Sequence, residues 1–301
     1  MQTRKFIAFY CPTCHILNVV RHSEKNSEQQ MDYQTYEQHI DLKSLVSCYW
    51  TLEVPKQSEP QKQRIVPDGC IEMAFILGDG IKRYTSEREF ILQPRAMVLG
   101  QTIEPFYIQP TGYVKTFAVR FYPYGFANFV SEPISNLANK ETPINHLFGV
   151  ETTDDLEQKI IKAENTEQRI SIIEKFLLER LNDEKTINTI VKNTVDSLFS
   201  TNGSVSINGI LKENLSKRRQ LERNFKKQIG VSPKQLGKVI RLQTALKMLL
   251  DQKSENLTNV AYESEYFDQA HFIKDFREFT GINPKEFINH ENLALSALFY
   301  K

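Results

Sequence analysis

The chain has 301 residues, enough for two ordinary domains, and its 40% hydrophobic and 25% charged content is that of a folded globular protein. Disordered, collagenous and disulfide-scaffold classes are excluded. The net charge of +1 hides an asymmetry, because residues 1–200 carry 22 Lys/Arg against 26 Asp/Glu whereas residues 201–301 carry 16 against 11. Within 201–250 eleven basic residues stand against Glu213 and Glu222 alone, the footprint of a polyanion partner or of a solvated helix face.

No stretch reaches the roughly 18 uncharged apolar residues of a membrane span, and the first twenty residues lack an apolar signal core, so a cytoplasmic protein without a membrane partner is expected. Residues 1–30 show no consistent periodicity and read as a weakly structured extension. They hold Cys11-Pro-Thr-Cys14-His15, with His22 nearby; together with Cys48 and Cys70 these cysteines form a set that zinc chemistry would use, against which stands an incidental pair in a mobile segment. Four cysteines crowded into the first quarter cannot staple a chain of this length.

From about Leu42 to Phe121 apolar residues come in short runs rich in β-branched and aromatic side chains: LVSCYWTLEV, CIEMAFIL, EFILQ, AMVLG, FYIQ and YVKTFAVRFYP. Pro55, Pro67-Asp68-Gly69, Gly78-Asp79-Gly80, Pro94, Gly100, Pro105, Pro110-Thr111-Gly112 and Pro123 punctuate them. Many short strands between turn signals predict a β-barrel or sandwich over residues 31–149. Tyr49, Trp50 and Phe75 are the candidates for lining an effector pocket in it, although aromatic residues on strands are more often plain core; Pro67-Asp68-Gly69 reads as a chain reversal.

After Gly149 the period changes to about 3.6. Ile170, Ile173, Leu177 and Leu181 share one helical face, and INTIVKNTVDSLF forms another amphipathic run. Residues 150–200 thus read as a helical linker used for dimerisation or for coupling.

In SVSINGILKENLSKRRQLERNFKKQIGVSPKQL, Ser204 can cap a short helix with Ile207, Ile210 and Leu211 inward and Asn214 near its end. Ser216 can cap a second, in which Leu221, Phe225 and Ile229 repeat until Gly230 stops it. Arg219, Arg223 and Lys226 lie opposite that stripe with Glu222 beside them, a face suited to the major groove, where Arg bonds guanine and Glu accepts from cytosine. After the long run RLQTALKMLLDQ the pattern recurs. Leu257, Val260 and Ala261 line a first helix, Asp268 caps a second with Phe272, Phe276 and Phe279 inward, and Gly281 ends it. Ala270, Lys274 and Arg277 face outward, with Gln269 and His271 at the tip. An internal duplication about 50 residues apart is hard to reach by chance.

Over Ser204–Phe287 the chain resembles the AraC/XylS-type transcription regulators, carried by LERNFKKQIGVSPKQ, RLQTALKMLL and YFDQAHFIKDFREFTGINPKEF. The resemblance implies a two-domain α+β protein: a cupin-like β-rich sensor at 31–149, then an all-α double helix-turn-helix DNA-binding domain at 201–290, with residues 291–301 as a tail. It implies double-stranded DNA as partner, read by Arg219, Glu222 and Arg223 in one major-groove segment and by Gln269, His271 and Lys274 in the next. RNA polymerase, an unidentified small-molecule effector and a possible homodimer are the further partners expected. The SKRRQL stretch is one residue longer than the family pattern, which leaves open whether Arg218 or Arg219 leads into the groove. Glu265 stands where the family usually has glycine, so a left-handed turn there is strained.

LVSCYWTLEVP, RIVPDGCIEMAFIL and FAVRFYPYGF are similar to a β-rich sensor found ahead of such domains. The competing reading is a DNA-repair activator with a zinc-bound methyl-accepting cysteine. The sequence offers no phosphate loop and no nucleophile elbow, and only His39 and His146 flank the β region, so neither an enzyme nor a cofactor or metal centre is expected.

Overall fold

A computed structural model describes residues 31–181, 187–211, 215–250 and 256–288. The expectations for residues 1–30, for Asn214 and for the tail at 291–301 fall outside them. Ten strands come first: β1 (Asp32–Tyr36), β2 (Val46–Val54), β3 (Gln63–Ile65), β4 (Ile71–Ile76), β5 (Ile81–Tyr84), β6 (Phe90–Leu92), β7 (Ala96–Leu99), β8 (Phe106–Pro110), β9 (Val114–Phe121) and β10 (Glu141–Pro143). They form two antiparallel sheets, ordered β1-β2-β9-β4-β7-β10 and β3-β8-β5-β6. The result is a sandwich rather than a closed barrel.

Side-chain alternation gives the larger sheet two buried faces. Tyr49, Met73, Phe75, Phe117, Val119 and Phe121 point to one side. Trp50, Leu52, Val54, Ala74, Ile76, Met97, Val114 and Ala118 point to the other, toward Ile65, Ile81 and Ile108 of the smaller sheet. A strand buried on both faces reads as a continuous apolar run, which is why VSCYWTLEV and IEMAFI stand out in the sequence.

Among the described residues ten helices follow: α1 (Asn145–Phe148), α2 (Val150–Lys162), α3 (Thr166–Leu178), α4 (Thr189–Ser200), α5 (Ile207–Leu211), α6 (Arg218–Ile229), α7 (Pro233–Leu250), α8 (Leu257–Glu263), α9 (Gln269–Thr280) and α10 (Pro284–Ile288). The helical stretch after Gly149 divides in its packing. Leu156 and Ile160 of α2 and Ile173, Phe176 and Leu177 of α3 cover the Tyr49/Phe75/Phe117 face of the sheet. Each such side chain contributes about 1.5–3 kcal/mol on burial. Arg169 of α3 is buried and donates to Ile160 O (3.2 Å) and Ala163 O (2.6 Å), satisfying the carbonyls that end α2. In contrast Val191, Val195 and Leu198 of α4 pack with Leu221, Phe225 and Ile229 of α6 and Leu236 and Ile240 of α7.

Candidate nucleic-acid interface and its link to the sandwich

Helix α6 buries Leu221, Phe225 and Ile229 and leaves Arg218, Arg219, Glu222, Arg223 and Lys226 exposed, the opposition that the sequence predicts. Arg218 Nε donates to Glu222 Oε1 at 3.1 Å, and its Nη1 to Asn208 Oδ1 at 3.2 Å. The capping expectations need correction. Ser206, not Ser204, caps α5, its hydroxyl accepting from Gly209 N at 3.0 Å. Helix α6 starts at Arg218 after a 3-10 turn at Leu215–Lys217 and has no side-chain cap, so Ser216 does not cap it.

Both units end by the same backbone device. Helix α6 stops at Gly230 (φ 98°) and α9 at Gly281 (φ 76°), the left-handed conformation that favours glycine. Each glycine is followed by a reciprocal capping box with proline in the first helical turn. Ser232 Oγ accepts from Gln235 N while Gln235 Oε1 accepts from Ser232 N; Asn283 and Glu286 repeat the exchange. The GVSPKQ and GINPKE echoes are therefore one start-stop signal used twice.

In the second unit Leu257, Val260 and Ala261 of α8 and Phe272, Phe276 and Phe279 of α9 are buried, and Asp268 caps α9 by accepting from His271 N at 2.7 Å. Lys274 and Arg277 are exposed. Gln269 and His271 are only half exposed: Gln269 Oε1 accepts from Thr258 Oγ1 at 3.2 Å, and His271 Nε2 stands 3.4 Å from Asp275 Oδ2 with its ring edge-on to Tyr266. Glu265 has φ of 61°, so a non-glycine residue does occupy the left-handed turn.

Sequence reading missed a clasp between α7 and α9. Lys238 Nζ lies 3.0 Å from both Asp275 Oδ1 and Glu278 Oε2, with Asp275 almost wholly buried. Burial opposes the Lys238 charge, but hydrogen bonds to Glu278 and Asp275 outweigh it and hold the amine above its usual pKa.

The sandwich holds a cavity of about 610 Å³ between its two sheets, open to the surface on one side. Trp50, Leu52 and Val54 of β2, Glu72, Ala74 and Ile76 of β4, and Ile108 of β8 line it. Of the three pocket candidates only Trp50 does so. Tyr49 and Phe75 point to the opposite face, as adjacent strand positions must, where Tyr49 OH donates to Glu174 Oε1 at 3.1 Å. Burial and the Glu174 carboxylate both push the Tyr49 hydroxyl far above its usual pKa. Ala74 and Ala118, paired across strands, leave the space.

At the inner end of the cavity Glu72 Oε1 accepts from Trp50 Nε1 at 3.1 Å and from Arg120 Nε at 2.6 Å. Arg120 is buried and reaches on to Asp68 Oδ2 at 2.9 Å. Burial pushes the Glu72 carboxyl above the usual range, with Arg120 opposing. The signal was present in the sequence: Glu72 and Arg120 fall on the same strand face as Ala74 and Ala118, where an apolar residue is the norm.

Asp68 belongs to the turn that the sequence reads as a plain reversal, and the turn does more than reverse. Gln243 of α7 donates from Nε2 to Pro67 O. A β-carbon at Gly69 (φ 79°) would lie 3.3 Å from Leu236 Cδ1 and 3.6 Å from Val239 Cγ1, so the turn rests directly on α7. Gly69 O accepts from buried Gln101 at 2.7 Å. Beside it Val66 joins the core of Val239, Leu246, Phe272 and Phe276, and Arg64 Nη1 donates to Thr280 O at 2.9 Å. The first unit meets the sandwich through Tyr124, in the α4/α6/α7 core, and through Ile134 against Gly230.

Among the described residues no cluster of three or more His, Cys, Asp or Glu is placed to hold a metal ion, and Cys48 and Cys70 are buried. No described helix is long and apolar enough to cross a membrane.

Residues 213–290 match a family described as a helix-turn-helix domain, and residues 34–143 match a domain of unknown function, DUF6597. No curated protein sequence matches the chain. Among solved structures it is similar to ToxT from Vibrio cholerae at 13% identity, over 80% of this chain and 98% of that one, with a TM-score of 0.47. ToxT of strain O395 bound to (E)-4-(8-methylnaphthalen-1-yl)but-3-enoic acid has 12% identity over 85% and 98%, TM-score 0.44. Unsaturated fatty acid bound ToxT of strain SCE256 has 11% identity over 88% and 96%, TM-score 0.44. The duplicated unit, its bridging helix and the domain match together make residues 213–290 a helix-turn-helix domain of the kind that binds DNA, behind a β-rich domain.

Proposed function

We propose that the protein binds one asymmetric DNA site through both units and that a small molecule in the sandwich cavity sets its affinity for that site. The reading is supported by one observation above all: the Pro67–Gly69 turn is tied at one end to the cavity wall through Asp68, Arg120 and Glu72, and at the other rests on α7, the helix both units share. A molecule that moves Glu72 acts on a connected, buried set of contacts, and linkage makes the effect reciprocal.

On the DNA side, Arg219, Glu222 and Arg223 contact bases from α6, with Lys226 on phosphate and Arg218 holding Glu222. From α9, Lys274 and Arg277 face the groove, while Gln269 and His271 act at its N-terminal tip. Two units on one bridging helix span about one turn of DNA. The protein acts by binding rather than by catalysis, in the cytoplasm, with RNA polymerase as the partner at the promoter and homodimerisation as a way to contact a second site.

The test is selection of bound sequences from a random DNA pool with the full chain, repeated with Arg223→Ala and Lys274→Ala. Each variant should relax preference at a different position, because a bidentate base contact carries about 1–3 kcal/mol of discrimination. No enriched sequence, or one that neither variant alters, would refute the assignment.

A further inference from the structure

The cavity wall has a marked chemical bias. Its middle is apolar, with Leu52, Met97 and Ile108 facing one another, and from Val54 to Trp50 the β2 wall runs about 13 Å at 3.3 Å per residue. At its inner end stands the Glu72 carboxylate, and on β3 the Gln63 Oε1 atom is buried and accepts no hydrogen bond. Glu59 adds a second carboxylate among the lining residues. Among the described lining residues none is lysine, arginine or histidine. The cation behind Glu72, Arg120, is committed to Glu72 and Asp68 and is not part of the wall.

An unpaired buried acceptor is costly, and a ligand donor that reaches it recovers that cost. An anion entering here would find no cation in the wall to pair with, since Arg120 is already shared between Glu72 and Asp68, which is unfavourable in a low-dielectric site. We propose that the cavity takes an elongated, mainly apolar molecule, neutral or cationic, whose N–H or O–H group donates to Glu72 or to Gln63, and that it discriminates against anions of the same shape. This rests on the reading of the cavity as the effector site.

Three probes of one shape test it on the full chain: 6-phenylhexylamine, 6-phenylhexan-1-ol and 6-phenylhexanoate. Trp50 is the only tryptophan, so its fluorescence reports occupancy of this cavity alone, with calorimetry as the second measurement. The amine and the alcohol should bind at least about tenfold more tightly than the carboxylate. Glu72→Gln should remove most of the amine's advantage over the carboxylate. Because that change also strips Arg120 of a partner, Gln63→Leu serves as the variant outside the ion network and should weaken the alcohol about threefold or more. A carboxylate that binds as tightly as the amine, or three probes that leave Trp50 unperturbed up to their solubility limits, overturns the proposal. If the amine binds in the stated order but leaves affinity for the selected DNA unchanged, the ligand class stands and the coupling of cavity to DNA binding fails.

Discussion

The two helix-turn-helix units share their stop signals and capping boxes, yet they spend their polar side chains differently. On α6 the charged residues are exposed, and Arg218 is tied to Glu222. On α9 the polar residues at the tip are engaged inside the unit: Gln269 with Thr258, His271 beside Asp275, and Asp275 with Lys238 of the bridging helix. The cores differ in the same sense. The first unit rests on an aliphatic stripe with one phenylalanine and takes in Tyr124 from the sandwich, whereas the second gathers Phe272, Phe276, Phe279 and Phe287 and takes in Val66. A duplicated scaffold has thus diverged into a unit built to present charge and a unit built to be held.

The largest expected effect probes the held unit. Phe276→Ala removes a fully buried ring at the centre of the second core and should cost about 3–5 kcal/mol in denaturant unfolding. A loss under about 1 kcal/mol would mean that the aromatic cluster does not hold the unit. Next comes the division of labour on DNA: Arg223→Ala should cost about 1–3 kcal/mol of affinity for the selected site, and Lys274→Ala less. The reverse order, read by quantitative binding at fixed salt, would make the second unit the stronger reader. Glu265→Gly sharpens the comparison from the other side. Relief of the left-handed strain should raise stability by about 1–2 kcal/mol, and an unchanged or lowered melting temperature would show that the Glu265 side chain compensates. The smallest effect belongs to the helix the units share: Gln243→Leu should cost about 0.5–1.5 kcal/mol of stability while blunting the effector's influence on DNA affinity. An undiminished response would route the coupling elsewhere.

The parts legible in the sequence were those with local causes. Strand runs, the Leu221/Phe225/Ile229 and Phe272/Phe276/Phe279 stripes, the Asp268 cap and the strained Glu265 turn all follow from residue spacing and backbone sterics. Tyr49 and Phe75 share residue type with Trp50 but not its strand parity, and of the three only Trp50 faces the cavity. The Pro67-Asp68-Gly69 turn, the Lys238 clasp and the Arg64 bond to Thr280 join segments tens to hundreds of residues apart, and no periodicity encodes such pairings. The helices between the domains were seen, but not their partners. Amphipathicity shows that a face is covered without showing by what, and here α2 and α3 cover the sandwich while α4 underlies α6.

Gly69 has a consequence for genetics. Gly69 and Gly149 both have a positive φ, yet a β-carbon at Gly149 meets nothing within 4 Å whereas one at Gly69 comes tightly against Leu236 and touches Val239. Missense alleles at Gly149 should therefore behave as mild, general loss-of-stability alleles. Alleles at Gly69 should fall into a separate phenotypic class, proteins that accumulate and still occupy the promoter but no longer distinguish inducing from non-inducing growth. A screen for signal-blind alleles has in Gly69 its natural target, and in Gly149 a matched control with the same backbone handicap.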